Sequence, residues 1–422
     1  MALLIKENEA ELIALLSREA GKTLIDAINE IREAIDFCNY YAREALKLKE
    51  PLLNESYTGE DNHLSYQGRG VAICISPWNF PLAIFLGQIA AALVAGNSVI
   101  AKPAETTSII GYKAVELFYQ AGIPHDVLQF TPAAGKLFGA KLLSNPKIAT
   151  VAFTGSNQTA RLINSKLAHS NGQIAKLIAE TGGQNCMIID STALLEQATD
   201  DIINSSFYSA GQRCSALRVL YVQEDVADNL IKLLKGAMAE LKIGDPKDFA
   251  VDIGPVINQE AKLSLEKHIE DMNKNSKLIA STQAKNLQNG FFIAPHLYEI
   301  NNINELKNEN FGPILHLIKF KANKIDEVIN EINSTDYGLT FGIHSRIESR
   351  IDYIVKRINA GNIYINRNMT GAVVGVQPFG GMGLSGTGPK AGGPNYLKAF
   401  MHEKNVTNNI TAIGGNLELL SK

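Results

Sequence analysis

Apolar positions three or four residues apart run through residues 3–47. They are clearest at Leu24, Ala27, Ile28, Ile31, Ala34, Ile35, Cys38, Tyr41 and Ala42, a spacing that predicts amphipathic helix. A polar stretch from Pro51 to Asp61 follows, and then the period changes. Gly70–Ser76 is a short, unbroken apolar run bounded by turn residues and reads as a buried strand, with an apolar helix from Leu82 directly after it. Asn97–Lys102 predicts a second strand, Ser108–Gln120 a helix and Val127–Phe130 a third strand. Thr150–Ser156 and Ala175–Glu180 read as two more strands. Strand, helix, strand in this rhythm predicts a parallel sheet wound with helices, whose nucleotide site lies beyond the carboxyl ends of the strands.

The second half alternates similarly. Helix and strand alternate from Asp190 to Ala239, with Ala216–Tyr221 as a strand. A Gly/Pro-punctuated loop covers Asp245–Ile257, a helix Gln259–Asn273, and strands Leu315–Phe320 and Gly361–Asn366. With 422 residues, 45% hydrophobic and 20% charged, the chain is globular and long enough for two or three domains. A net charge of −3, without a basic stripe, argues against nucleic acid as a partner. Cys38, Cys74, Cys186 and Cys214 lie far apart with no CxxC, and none of the eight histidines sits in a metal-like cluster. No metal, no disulfide framework and a reducing cytoplasm are therefore expected. Phe80–Ala95, about 16 residues broken by Gly87 and Gln88, is too short for a membrane span.

Candidate chemistry gathers around Phe207–Leu217, FYSAGQRCSAL. Cys214 follows a Gly-Gln-Arg turn, with Arg213 beside it and Ser215 after it, an environment expected to favour a thiolate nucleophile. A lone cysteine is as readily an inert core thiol, so the weight falls on Glu180 in AETGGQN, a carboxylate beside two glycines that can activate water against an acyl-cysteine. Two strand ends carry polar residues: Ser76-Pro77-Trp78-Asn79 and Lys102-Pro103-Ala104-Glu105, where prolines also suit a plain loop. Gly155-Ser156 opens a helix where backbone N–H groups can receive phosphate. Gly21-Lys22-Thr23 lacks the first glycine of a phosphate-binding loop, since position 16 is Leu16. Gly381–Gly386 spells GxGxxG outside a strand-to-helix turn, so neither is read as a nucleotide motif.

In order, SPWNFP, KPAE, FTGS, ETGGQN, GQRCSA, ENFGP and PFGGMGLSG resemble the motif series of the aldehyde dehydrogenase superfamily over nearly the whole chain. The stretch NIYINRNMTGAVVGVQPFGGMGLSGTGPKAGGPNYL is similar to the branch that acts on L-glutamate gamma-semialdehyde, both in bifunctional proline utilisation proteins and in single-activity dehydrogenases. The resemblance implies an α/β fold with three parts. These are a Rossmann-like NAD-binding domain (1–50 and 69–181), an α/β catalytic domain (182–386), and an anchor loop with a β oligomerisation strand and tail (51–68 and 387–422).

The resemblance also implies NAD-dependent oxidation of the semialdehyde to L-glutamate in proline degradation. Cys214 would be the nucleophile, Glu180 the base and Asn79 an oxyanion donor. Ser76, Pro77, Trp78, Lys102, Glu105, Gly155, Ser156, Glu309 and Phe311 would face the cofactor. Arg213, Ser215, Gly392, Gly393 and Phe379 would face the substrate, with Gly392 and Gly393 N–H groups on its carboxylate. A homo-oligomer built on the β-prone Thr407–Ile413 and a proline dehydrogenase partner fit the same likeness. Full-length relatives carry residues ahead of the point where this chain starts. Two other readings therefore stand beside the first: a dehydrogenase for another omega-carboxylated aldehyde such as succinate semialdehyde, and a shortened, inactive member of the family.

Overall fold

The helical periodicity at the start of the chain resolves into three helices, α1 (Ala2–Glu7), α2 (Glu9–Ala20) and α3 (Leu24–Lys47), in the computed structural model, which describes residues 1–283 and 290–410. The break falls at Gly21, whose left-handed φ of +65° ends α2, and Thr23 starts α3 by accepting the Asp26 N–H at 3.3 Å. Lys22 is buried against Glu30 at 2.8 Å. The Gly-Lys-Thr tripeptide is thus a helix junction.

Next come β1 (Leu52–Leu53), β2 (Glu60–Gly68), β3 (Val71–Ile75), α4 (Ala83–Val94), β4 (Ser98–Lys102), α5 (Ser108–Gln120), β5 (Leu128–Phe130), α6 (Gly135–Leu142), β6 (Ile148–Thr154), α7 (Asn157–Ala168) and β7 (Lys176–Glu180). Five of these strands form a parallel sheet in the order β5-β4-β3-β6-β7. Both of its faces are covered. Ala72 and Cys74 join the core under α3 and α4, while Ile73 between them joins the core under α6 and α7. Burial on two faces is why β3 reads as an unbroken apolar run.

A second sheet is built from β8 (Cys186–Ile189), α8 (Leu195–Phe207), β9 (Val219–Gln223), α9 (Glu224–Glu240), α10 (Gln259–Asn275), β10 (Lys277–Ser281), β11 (His296–Glu299), β12 (Ile314–Phe320), α11 (Ile325–Asn333), β13 (Tyr337–Gly338), β14 (Thr340–His344), α12 (Glu348–Val355) and β15 (Asn362–Ile365). Its order is β10-β11-β12-β9-β8-β14-β15, parallel except at the β10 edge. Short β16 (Met382–Gly383) pairs with β13. Sequence reading passed over β8, β10, β11 and α6. The first is four residues long, β10 and β11 carry polar edge residues, and α6 contains two glycines that weaken helix propensity.

The last strand, β17 (Met401–Asn409), runs antiparallel to β2 along nine residues, so part of the Pro51–Asp61 stretch read as linker is strand. The β-prone stretch Thr407–Ile413 overlaps the end of β17, and 411–413 lie outside the described residues. Between β16 and β17 the glycine-rich segment returns to the first sheet. The Thr181 N–H donates to the Ser385 carbonyl at 3.0 Å, and the Thr387 N–H to the Ala179 carbonyl at 2.9 Å. This brings the end of the chain beside Glu180. Among the described residues no helix is long and apolar enough to cross a membrane, and no cluster of His, Cys, Asp or Glu can hold a metal.

Candidate active site

Cys214 is delivered by a strained turn. After α8 the backbone passes through three left-handed residues, Ser209 (φ 55°), Ala210 (φ 53°) and Gly211 (φ 64°). A side chain at Gly211 would sit 2.2 Å from the Gly312 carbonyl oxygen. The two non-glycine residues each cost on the order of 1 kcal/mol and persist because the surroundings hold them. Arg218, 1% exposed, supplies much of that hold. Its guanidinium donates to the carbonyls of Gly211 (2.7 Å), Arg213 (3.0 Å) and Gly312 (3.2 Å) and reaches Glu309 at 3.4 Å. Asn185 donates to the carbonyls of Cys214 at 2.6 Å and Ala216 at 2.9 Å.

The half-buried Cys214 does not sit in a thiolate-favouring environment, contrary to the sequence expectation. Burial first, and then the charges of Glu309 and Glu180, push its thiol up to about 12. Arg213 does not offset this, because its guanidinium is committed to Asp26 at 2.6 Å and to the Ser209 hydroxyl at 2.8 Å. The thiol is therefore neutral in the resting site.

Glu180 ends β7 and faces the same space. Burial raises its carboxyl to about 8, opposed by the Gly381 N–H, which donates to Oε2 at 3.1 Å, and by the charge of Lys390. Its buried Oε1 has no protein donor. Cys214, Glu180, Arg213, Ser215 and Phe379 line a cavity of about 430 Å³ whose opposite wall is one face of α3, carrying Asp26, Glu30, Glu33, Phe37 and Tyr41. Burial, and next the charge of Glu30, raise Glu33 to about 7. Phe80 lies between two cations, with Lys22 Nζ 4.2 Å and the Arg213 guanidinium 5.9 Å from its ring centre.

Sequence reading missed Asp26, Glu33, Phe80, Arg218 and Lys390, and took Tyr41 as core only. The available signal was polar: Asp26, Glu30, Glu33, Phe37 and Tyr41 recur four, three, four and four apart, a second stripe beside the apolar one.

Of the other candidates, Ser215 and Phe379 line this cavity, and Asn79, Gly392 and Gly393 do not. Asn79, in the loop after β3, donates one amide N–H to the Gln212 carbonyl at 3.0 Å. Ser215 is buried, and its carbonyl accepts the Thr340 hydroxyl at 3.2 Å. Phe379 exchanges backbone hydrogen bonds with Ala391. The Gly392 N–H, expected to be available to a ligand, instead donates to the Tyr41 hydroxyl at 2.9 Å.

Residues read as facing a cofactor do not line this cavity and gather beyond the strand ends. Ser76 follows β3, and its buried hydroxyl has no partner. Pro77 is next, and Trp78 packs edge-on against Phe311 at 5.5 Å. Lys102, buried, donates to the Pro103 carbonyl at 3.0 Å, while exposed Glu105 accepts the Gly135 N–H at 2.7 Å. The Gly155 N–H donates to the Glu180 carbonyl at 3.1 Å, and Ser156 caps α7 by accepting the Thr159 N–H at 3.2 Å. Glu309 approaches so closely that a Cβ on Gly182 would lie 1.8 Å from its Oε2.

A model of the aldehyde dehydrogenase family matches residues 1–406. The chain is 48% identical over 405 residues to the bifunctional protein PutA of Salmonella typhimurium, an alignment covering 94% of this chain and 30% of that protein. It is 39% identical over 411 residues to a 1-pyrroline-5-carboxylate dehydrogenase of a Geobacillus species, covering 96% of this chain and 79% of that one. A solved bifunctional proline utilization A protein superposes with a TM-score of 0.95 at 54% identity, over 98% of this chain and 42% of the other. The 1-pyrroline-5-carboxylate dehydrogenase from Thermus with bound NAD superposes at 0.91 with 35% identity, over 97% and 80%. This chain thus spans less than a third of the Salmonella protein's length.

Proposed function

Because the chain belongs to the aldehyde dehydrogenase family, we propose that it oxidises L-glutamate gamma-semialdehyde, formed from 1-pyrroline-5-carboxylate, to L-glutamate with NAD+. The observation that carries this reading is the shared cavity, with Cys214 and Glu180 on one wall and the acidic face of α3 on the other. The semialdehyde bears an ammonium and a carboxylate remote from its aldehyde, and unpaired buried charges would cost it affinity. Glu33 would supply a partner for the ammonium, and Ser215 would face the carboxylate.

The cofactor-side residues fit a dinucleotide. Ser76 carries an orphaned buried hydroxyl, and Ser156 heads α7, where helix N–H groups suit a pyrophosphate. Lys102 and Glu105 would hold the adenosine ribose, with the Glu105 carboxylate disfavouring a 2′-phosphate. Pro77 and Trp78 would flank the adenine side, and Glu309 and Phe311 would hold the nicotinamide end. When bound, NAD+ accepts the hydride that leaves the substrate carbon.

The residues of this chain do the rest. Cys214 gives its proton to solvent water as its sulfur attacks the aldehyde carbon, giving a thiohemiacetal whose oxyanion would take the second Asn79 N–H and the Cys214 backbone N–H. The thioester left on Cys214 after oxidation is hydrolysed by water. Glu180 takes that water's proton, for which it must first be ionised.

A preference for another omega-carboxylated aldehyde such as succinate semialdehyde, which has no ammonium, runs against the Asp26, Glu30, Glu33 and Asp36 lining. Specificity constants for the two aldehydes test the substrate reading, and a preference for succinate semialdehyde overturns it. An inactive member of the family runs against the shared placement of Cys214 and Glu180. The edge position of β17 supports a second copy of this chain as a partner, and light scattering that reads a monomer would count against it. The similarity to bifunctional PutA proteins supports a proline dehydrogenase partner, which copurification checks. Four free cysteines support a reducing cytoplasm, which fractionation of the source cells checks.

A further inference from the structure

Lys390 lies in the glycine-rich segment that returns to the first sheet, and its side chain is half-buried. Its ammonium donates to the Gly361 carbonyl and to Asn362 Oδ1 at 3.3 Å. The same Asn362 oxygen accepts the Gly380 N–H at 3.2 Å, while the Asn362 amide donates to the Pro378 carbonyl at 2.9 Å. Gly381, next along, gives its N–H to Glu180 Oε2 at 3.1 Å. A chain of contacts thus runs from the lysine, through the start of β15, to the carboxyl read above as the base.

Gly380 shows how near the two ends come. A Cβ there would lie 2.6 Å from Glu180 Oε1 and 3.1 Å from Lys390 Cγ, so the carboxyl and the lysine stem meet over a position with no room for a side chain. The ammonium itself is spent on Gly361 and Asn362. Glu180 Oε1, buried and without a protein donor, is left open. Other titratable groups around Glu180 carry no positive charge. Burial raises both the Cys214 thiol, on the turn after α8, and the Tyr396 phenol, ahead of β17, so both are neutral. The carboxyls of α3 stand across the cavity. Lys390 is the cation that faces Glu180.

We propose that Lys390 is a positioning residue for the base: it clamps Gly361 and Asn362 so that Gly380 and Gly381 hold Glu180 in place, and it sets a positive charge beside the carboxylate without bonding to it. Burial makes an ionised carboxylate costly, and a nearby cation lowers that cost. A direct salt bridge would occupy the oxygens that must take a proton from water; an offset cation leaves them free. This rests on the reading of Glu180 as the base.

The test is Lys390→Gln, which keeps a side-chain donor and loses the charge, beside Lys390→Arg, which keeps the charge. Both are made in the full chain and supplied with 1-pyrroline-5-carboxylate and NAD+. The readouts are kcat from pH 6 to 10 and, by mass spectrometry of the quenched steady state, the fraction of Cys214 that carries an acyl group. Loss of a cation near a buried carboxyl moves its midpoint by about one pH unit or more. Lys390→Gln is expected to titrate about one unit above wild type, with kcat about tenfold lower at pH 7, more acyl-enzyme, and a gap that closes toward pH 10. Lys390→Arg is expected to keep the wild-type midpoint. Thermal transitions close to wild type show that the variants fold, and Lys390→Met is the second uncharged variant should the first not fold. A folded uncharged variant with the wild-type midpoint, or with kcat lowered alike at every pH, overturns the proposal and leaves Glu180 as the base. A wild-type profile that is flat from pH 6 to 9 overturns both.

Discussion

Arg213, the residue before Cys214, donates to Asp26 on α3 at 2.6 Å, so the turn that carries Cys214 is tied across the cavity to the N-terminal helices. Both side chains are largely buried, and removing one partner of such a pair leaves a buried charge uncompensated, at a cost of about 3 kcal/mol or more. Asp26→Asn is expected to lower the thermal transition by a few degrees, and Asp26→Asn with Arg213→Met to recover part of the loss. A scanning-calorimetry cycle in which the two effects simply add would remove the tie from the account.

Glu180 must be ionised to act as a base, and its carboxyl is raised to about 8. Below that value the acid predominates and hydrolysis of the cysteine thioester is slow; above it the carboxylate predominates. Steady-state turnover limited by hydrolysis is expected to climb about tenfold per pH unit from 6 toward 8 and then level off. Glu180→Gln should remove the climb. A profile flat from pH 6 to 9 with wild type contradicts the assignment.

The Cys214 thiol is held up by burial, then by Glu309, then by Glu180. Alkylation of the cofactor-free protein by iodoacetamide is therefore expected to be slow at pH 7 and to accelerate with pH. Replacing one neighbouring negative charge, Glu309→Gln, lowers the thiol's pKa and should raise the alkylation rate at pH 8 several-fold, read by mass spectrometry at Cys214. Fast alkylation of wild type at pH 7 would be the contrary result.

Glu33 (about 7) and Glu180 (about 8) are both raised above the ordinary carboxyl value of 4.5. The folded protein therefore holds protons that the unfolded chain releases above 4.5. Stability from these groups is greatest below that value and falls as pH rises to about 8. Glu33→Gln and Glu180→Gln should each flatten this part of the curve, measured by urea denaturation between pH 5 and 8.5. Unchanged slopes would show that neither carboxyl is raised.

The first sheet was legible in the sequence because burial on both faces makes its strands continuous apolar runs, as in Val71–Ile75 and Ile148–Thr154. Cys214 and Glu180 stand out in short local motifs, and the fold brings the two to one cavity. What was not legible depends on distant partners. Arg213 looked like a cation for Cys214 until Asp26, 187 positions away, claimed it. Gly392 looked like a free amide until Tyr41, on a helix 351 positions earlier, took it. Arg218 reads as an ordinary charged residue at the mouth of a strand, and only the converging carbonyls of Gly211, Arg213 and Gly312 explain its complete burial.

The central claim is a cysteine-borne oxidation of L-glutamate gamma-semialdehyde, and the most direct measurement is NADH absorbance from residues 1–422 supplied with 1-pyrroline-5-carboxylate and NAD+, beside Cys214→Ala. NADH formation is expected from the wild-type chain and none from a Cys214→Ala protein that is folded and still binds NAD+. Turnover that survives in Cys214→Ala, or none from a folded wild-type chain, would contradict it.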